Sequence, residues 1–369
     1  MKINGKPYTS IWDEGESSPR VYIIDQRPLP HRFEVEELDS LASCATAIRE
    51  MHLRGAPLIG VAAAYGMYLA AREAPLKNWR EHMLQAAQQL LNTRPTAVDL
   101  AKAIEQQKQV LTQVKNFSDL VSAHLAKARE IRKQSIEQCR RIGEHGLLLL
   151  QKLSTKKKGQ TLNILTHCNA GWLACVDYGT ALAPIYAAFD SGLKVHVWVD
   201  ETRPRNQGAR LTAFELGQHG IPHTVIADNT GGHLMQHGMV DLVLVGSDRT
   251  TRTGDVANKI GTYLKALAAY DNHIPFYVAL PASSIDFNIT DGFRQIPIEE
   301  RNESEVHYLQ GKNPDNGQLQ HIRLTPDSSP ASNFAFDLTP ARLVTGLITE
   351  RGICAASEKD LLKLFPEKK

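Results

Sequence analysis

From residue 163 onward, short runs rich in β-branched and other apolar residues alternate with longer segments whose apolar positions recur at three- and four-residue spacing. That alternation marks βαβ units, in which each buried strand is followed by an amphipathic helix covering the sheet. The runs predict strands over 163–167, 194–199, 223–227, 241–245 and 275–280, all parallel, in a doubly wound Rossmann-like sheet. The first third reads differently. After a strand near 21–25, the segments 38–52, 56–74, 78–91 and 98–112 are rich in Ala and Leu at helical spacing, and a long helix over 118–150 leads into the strand-bearing part. The fold class is therefore α/β, with a mostly helical N-terminal domain over 1–130 containing a few short strands, and a Rossmann-like domain over 131–369. The polar stretch 286–330 reads as excursions around a site, and 339–351 as a helix with Pro340 in its first turn.

Each predicted strand ends in a polar or reactive cluster: Cys168-Asn169, Asp200-Glu201, Asp228-Asn229, Asp248-Arg249 and Pro281-Ala282-Ser283-Ser284. Ligands of open parallel sheets bind outside the carboxyl ends of the strands, so these clusters belong to one edge and one candidate site. Asp248, after the run Val-Asp-Leu-Val-Leu-Val-Gly, reads either as an acid for chemistry or as a turn residue paired with Arg249. In a dry pocket its pKa rises and it suits a general acid. Cys168 precedes a small-residue turn that reads as leading into a helix, where the dipole favours a thiolate; alone, it reads more readily as a buried structural cysteine. Asn258-Lys259 is expected to open the helix after Asp248, with an amide, a cation and unpaired N–H groups set for an anion, although Asp255 and Asn258 also suit helix caps. Arg54-Gly55-Ala56-Pro57 enters an Ala-rich helix and either clamps phosphate or simply caps the turn; Arg94-Pro95-Thr96 offers a second cation.

Composition narrows the function classes. The chain has 369 residues, 42% hydrophobic and 22% charged, with 42 basic and 40 acidic residues. A net charge of +2 is too balanced for a nucleic-acid or membrane surface, and no stretch approaches the ~20 apolar residues that span a bilayer. Five scattered cysteines without a Cys-x-x-Cys spacing argue against a disulfide framework or a zinc site. Asp200-Glu201 lacks an obvious third metal ligand, and His233 and His237 lack the glutamate of a zinc-protease helix. No metal is expected, and the cytoplasm is the expected location.

Taken together, Arg54-Gly55-Ala56-Pro57 with the following Ile59 to Gly66, Arg94-Pro95-Thr96, Thr166-His167-Cys168-Asn169, Asp200 to Pro204 with Gln207-Gly208-Ala209-Arg210, and Gly254 to Tyr263 resemble the methylthioribose-1-phosphate isomerases, in order along nearly the whole chain. That family is related to ribose-1,5-bisphosphate isomerases and to regulatory subunits of a eukaryotic translation initiation guanine-exchange factor. The resemblance implies isomerisation of 5-methylthioribose 1-phosphate to 5-methylthioribulose 1-phosphate, a step of methionine salvage, without an external cofactor and usually by a homodimer. It implies Asp248 and Cys168 as the catalytic pair, and Arg54, Gly55, Ala56, Arg94, Gln207, Asn258 and Lys259 as substrate contacts. Trp172, Ser247 and Thr250 to Thr253 depart from the family pattern. They leave open a related substrate, 5-deoxyribose 1-phosphate or, if Arg205 or Arg252 supplies a second cationic subsite, ribose 1,5-bisphosphate. A non-catalytic regulatory binding protein is the remaining alternative.

Overall fold

The structure is a computed structural model that describes residues 1–14, 20–94 and 98–369. Pro95 and Thr96 of the expected Arg94 loop lie outside the described residues. After a short antiparallel hairpin of Lys2–Ile3 with Lys6–Pro7 comes a three-stranded antiparallel sheet, β1 (Ile11–Asp13), β2 (Val21–Asp25) and β3 (Glu34–Leu38), of which the sequence pattern shows only β2. Four helices follow: α1 (Leu41–Arg49), α2 (Ala56–Glu73), α3 (Trp79–Leu91) and α4 (Val98–Gln113). Ser40 caps α1 reciprocally with Ser43, satisfying two free amides at the helix start. Helix α2 is not amphipathic. Every residue from Leu58 to Ala71 is buried, and small residues let its neighbours close around it: a Cβ on Gly60 would lie 2.9 Å from the Asp99 carbonyl of α4.

Helix α5 (Leu120–Lys156) passes through residue 130, where the domain boundary was expected. Its first turns pack Leu120, Leu125, Ala128 and Ile131 into the core around α2, and its later turns pack Ile142 and Leu150 against the main sheet. One helix thus serves both cores.

The main sheet contains β4 (Leu162–Thr166), β5 (Val195–Asp200), β6 (His223–Ile226), β7 (Leu242–Val245) and, after the intervening short strands β8 (Arg249–Thr251) and β9 (Val256–Lys259), β10 (Phe276–Ala279). All five expected parallel strands form. They are joined by a sixth parallel strand, β13 (Gly346–Thr349), and an antiparallel edge, β14 (Gly352–Cys354), in the order β14-β13-β10-β7-β4-β5-β6. The segment 339–351 is therefore not a helix. Only a short 3-10 turn, Ala341–Leu343, precedes β13. An apolar run as short as Gly346–Thr349 fits a buried strand as well as a helix by periodicity, and here β10 supplies its ladder. A second sheet, β11-β8-β9-β12 with β11 Ile285–Asp286 and β12 Phe336–Thr339, is built from the excursions. Among the described residues, no helix is long and apolar enough to cross a membrane.

The chain runs from β4 outward through β5 and β6, then returns to place β7 on the other side of β4. The switch point of the sheet lies between β4 and β7, the location that opens a crevice in a doubly wound fold. Cys168 follows β4 and Asp248 follows β7.

Candidate active site

The register of the two central strands sets the depth of the two groups. Ile164 pairs with Leu242 and Leu165 with Val243, and the Thr166 hydroxyl fixes the strand ends by donating to the Leu244 carbonyl at 2.8 Å. Gly246 lies beside the turn after β4, where a Cβ would come within 2.7 Å of the Ala170 Cβ. Cys168, Gly246 and Asp248 consequently line one cavity, together with Arg54, Gly55, Ala56, Arg94, Gln207, Asn258 and Lys259. Every residue expected at the site is present there. Of the other strand-end clusters, Pro281 reaches the cavity, whereas Asp200 and Asp228 lie behind it.

Two expectations about helix ends are corrected. Asn258 and Lys259 are in β9, paired with Asp337 and Phe336 of β12, and the next helix, α9 (Thr262–Asp271), starts only after Gly261 at φ +101°. Its N-terminus is closed from a distance: Asp337 accepts from the amides of Gly261 and Tyr263. Asp255 does not cap that helix either, for it accepts from the amides of Ala341 and Gly292. The helix N-terminus that does face the cavity is that of α2, at Gly55 and Ala56. Gly55 has φ +99°, and a Cβ there would stand 2.3 Å from the Ala174 carbonyl, so this loop needs glycine for both its conformation and its packing.

The second correction concerns the thiol. Cys168 leads only into the 3-10 turn Trp172–Ala174, and α6 (Leu182–Asp190) begins later. No α-helix begins at the Cys168 turn to favour a thiolate. Instead the thiol donates to Oε1 of Gln207 at 3.0 Å, and burial pushes its pKa up, with Arg54 and Lys259 pulling back and Asp248 adding to the rise. The backbone of Cys168 is left-handed, φ +65°. It is held there by its amide donating to the Thr202 hydroxyl at 2.8 Å and its carbonyl accepting from the Thr212 hydroxyl at 2.7 Å.

Asp248 does not pair with Arg249, which turns away to Asp286 at 2.5 Å. Among the described residues the Asp248 carboxyl has no hydrogen bond or ion pair. Burial raises its pKa; Lys259, Arg54 and Arg94 oppose the rise, and Glu299 adds to it. A carboxyl and a thiol, each with its pKa raised by burial, thus face the same space.

Five cations line the cavity: Arg54, Arg94, Arg249, Lys259 and Arg301. Arg94 is paired with Glu299 at 3.2 Å, Arg301 with Glu299 at 2.8 Å and Glu305 at 2.9 Å, and Arg249 with Asp286. Arg54 and Lys259 have no carboxylate partner among the described residues, though they are only 7% and 8% exposed. Arg54 binds Asn169 through two nitrogens, to Oδ1 and to the carbonyl, each at 2.7 Å. Lys259 lies 4.9 Å from the Phe336 ring centre, and burial lowers its pKa. Buried cations without counter-ions are costly and mark a seat for an anion. The apolar part of the lining includes Met51, Ile59, Ile296, Pro297, Ile298 and Phe336.

The chain matches the initiation factor 2 subunit family over residues 52–356. It is 56% identical over 373 residues to the methylthioribose-1-phosphate isomerase of Desulfatibacillum aliphaticivorans, covering 100% of both chains. It is 57% identical over 369 residues to that of Paramagnetospirillum magneticum, again covering 100% of both. Among solved structures, the 5-methylthioribose 1-phosphate isomerase of Pyrococcus horikoshii OT3 superposes with a TM-score of 0.83 at 36% identity, covering 98% of this chain and 97% of that one. The translation initiation factor eIF-2B subunit delta from A. fulgidus superposes with a TM-score of 0.80 at 37% identity, covering 98% of this chain and 100% of that one. The chain belongs to the methylthioribose-1-phosphate isomerases of the initiation factor 2 subunit family.

Residues that the sequence pattern left unassigned build the surroundings of this isomerase site. Glu215 of α7 (Ala213–His219) is buried beneath the Cys168 turn and accepts from Asn169, Trp172, Leu173 and Tyr186. Burial raises its pKa, and these hydrogen bonds oppose the rise. His167 joins Asp200 at 2.8 Å and the Ile260 carbonyl at 2.8 Å, tying β4 to β5 and to the turn after β9. His167, Asp200 and Asp228 have ligand atoms close enough together to hold a metal ion, but the Lys265 ammonium already lies 3.2 Å from Asp200 and donates to the Asp228 carbonyl. The Asp228 carboxylate is occupied by the amides of Thr202 and Arg203. Trp172 is 1% exposed and packs under the turn in the main core, away from the cavity. Ile296, Pro297 and Ile298 come from the irregular stretch, whose lack of periodicity hid their convergence on the site.

Proposed function

We propose that this chain converts 5-methylthioribose 1-phosphate to 5-methylthioribulose 1-phosphate in methionine salvage. The carrying observation is a carboxyl, Asp248, and a thiol, Cys168, each with its pKa raised by burial, in one cavity with two buried cations, Arg54 and Lys259, that lack carboxylate partners among the described residues. The names of the full-length relatives agree with this reading. The anomeric oxygen of the substrate is esterified, so the ring cannot open to a free aldehyde. Asp248 instead donates its proton to the ring oxygen, the C1–ring oxygen bond breaks, and C1 is left oxocarbenium-like. A hydride then shifts from C2 to C1, and the C2 hydroxyl loses its proton to the Asp248 carboxylate, giving the ketone and restoring the acid. Cys168 lies against this transition state as a thiol hydrogen-bonded to Gln207. A path through an enediol-type intermediate would need a thiolate base, and the raised thiol pKa weighs against a resting thiolate. Arg54 with the Gly55 and Ala56 turn, Lys259, Asn258 and Arg94 hold the phosphate and sugar, and the wall of Ile296, Ile298 and Phe336 suits the methylthio end.

A second phosphate has no ready seat. Arg205 is paired with Glu305 and Arg252 with Glu358, and neither lines the cavity. A purely regulatory role has no use for the unpartnered acid beside the thiol. We further propose a cytoplasmic homodimer, read by light scattering as a mass near twice 40.9 kDa. Phosphorus NMR of the purified protein with 5-methylthioribose 1-phosphate, 5-deoxyribose 1-phosphate and ribose 1,5-bisphosphate tests the reaction and the substrate together. The expected order of kcat/KM follows that list, and no ketose phosphate from folded protein would overturn the reading. In deuterium oxide, the hydride path leaves C1 of the product unlabelled; label at C1 would sink it.

A further inference from the structure

We infer that Glu215 is a positioning residue: through the amide of Asn169 it sets the Arg54 guanidinium as the unneutralised phosphate clamp of the proposed isomerase. Glu215 is 1% exposed. Its Oε1 accepts from Asn169 Nδ2 at 2.8 Å and the Leu173 amide at 3.0 Å; its Oε2 accepts from the Trp172 amide at 2.9 Å and the Tyr186 hydroxyl at 2.6 Å. Two donors on each oxygen fill the lone-pair sites of a carboxylate, which alone among the side chains of this size offers only acceptors. An amide in its place turns an NH₂ group towards two donors, whichever way it faces.

That constraint passes to Asn169. Because Nδ2 must face Glu215, and also donates to the Thr212 hydroxyl at 3.2 Å, Oδ1 must face the other way, towards Arg54 Nη1. The Asn169 carbonyl takes Arg54 Nη2. Two of the guanidinium's five N–H donors are thus bound by neutral acceptors, and the others remain for the substrate. This arrangement seats the arginine without neutralising it. A carboxylate at 169 would hold Arg54 as well but would cancel the charge that attracts the phosphate. Here the negative charge is kept one residue further back, on Glu215, where it orients the amide and does not pair with the cation. Close packing supports a fixed geometry: a Cβ on Gly171 would lie 1.8 Å from Oε2 of Glu215, so the turn is seated directly on the carboxylate.

The test is a double-mutant cycle of Glu215→Gln and Arg54→Lys in the full-length protein, read by KM, kcat and the competitive inhibition constant of inorganic phosphate. Each single variant should weaken phosphate about ten- to hundredfold, the range of a lost charge-assisted hydrogen bond, and raise KM more than it lowers kcat. In the double variant Glu215→Gln should add little to Arg54→Lys, since its route to the ligand is already broken. Full multiplication of the two effects, or unchanged phosphate inhibition in Glu215→Gln, would overturn the proposal, because a merely structural role lowers the melting temperature and acts independently of Arg54. If Glu215→Gln does not fold, Asn169→Ala, which cuts the relay one link nearer Arg54 and spares the backbone acceptors, is read in the same cycle. Phosphate affinity measured by calorimetry is independent of turnover. A wild type that binds phosphate but converts no sugar phosphate therefore sinks the isomerase reading while leaving the relay standing.

Discussion

Replacing Asp248 by Asn removes the proposed acid while keeping its shape and a hydrogen-bond donor. A positioned general acid contributes about 10²–10⁴ in rate, so kcat should fall by that factor, or about 3–5 kcal/mol at ~1.36 kcal/mol per tenfold. KM should move by less than about threefold, since phosphate is held by Arg54 and Lys259 and not by the acid. The pH profile gives a second reading. Burial raises the pKa of this carboxyl, and the reaction needs it protonated, so wild-type activity is full below that pKa and declines as pH rises through it. Lys259 and Arg54 are the two strongest influences holding the carboxyl down. A bound phosphate dianion offsets both, so the acid stays protonated to higher pH in the complex. The alkaline limb of kcat should therefore lie above that of kcat/KM, and the variant should lose it from both. Stability follows the same sign. A raised folded-state pKa makes the native protein most stable below the unfolded value and less stable as pH rises through the folded one, and the variant, with no charge to bury, should melt higher than wild type at pH 8. Turnover followed by phosphorus NMR and melting by calorimetry check both parts. A variant within threefold of the wild-type kcat, or one retaining the alkaline limb, would falsify the acid assignment.

Gly55→Ala should cost of order 1–3 kcal/mol from its left-handed backbone alone, with the 2.3 Å approach to Ala174 added, and should raise KM sharply; a denaturant midpoint and KM equal to wild type would contradict the geometry of the loop. Cys168, a raised thiol, should react with iodoacetamide at pH 7.5 more slowly than free cysteine, speed up as pH rises, and slow further in saturating inorganic phosphate as Arg54 and Lys259 are neutralised. Peptide mass spectrometry follows the site, and faster alkylation than free cysteine would show a resting thiolate. Exhaustive chelation should leave kcat/KM unchanged, because the Lys265 ammonium occupies the one His167, Asp200 and Asp228 cluster among the described residues. Activity lost to a chelator and restored by a single divalent metal would refute that assignment.

The parallel strands were legible because each is a buried run ending in a polar residue, a pattern set by local chemistry. Their convergence was legible because strand order places the ends of β4 and β7 side by side at the switch point. What the pattern could not carry was anything closed from a distance. Residues 256–259 form a strand because β12, some eighty residues on, supplies the ladder, and α9 is capped by Asp337 of that strand, not by its own Asn258. The Gly346–Thr349 run is a strand because β10 is beside it. Glu215 carried no signal at all: an acid on a helix reads as surface until the turn of residues 168–173 is folded over it.

The charge balance of the cavity also bears on the route of the hydrogen. Three of its five cations are spent on Glu299, Glu305 and Asp286, which leaves two, the number a single phosphate dianion neutralises. Once phosphate is bound, the two cations that favour ionisation of either neighbour are offset, so the pKa of the carboxyl and that of the thiol both rise further. Lys259, whose pKa burial lowers, also offers a base, and a phosphate against it keeps it protonated. A pocket arranged in this way has an acid to open the ring, and the carboxylate that Asp248 becomes on ring opening then takes the proton of the C2 hydroxyl. The positive charge that develops at C1 is met by the ester phosphate already beside it, and a hydride shift asks nothing more of the protein than a dry, rigid enclosure. The apolar wall of Ile296, Ile298 and Phe336 provides that enclosure.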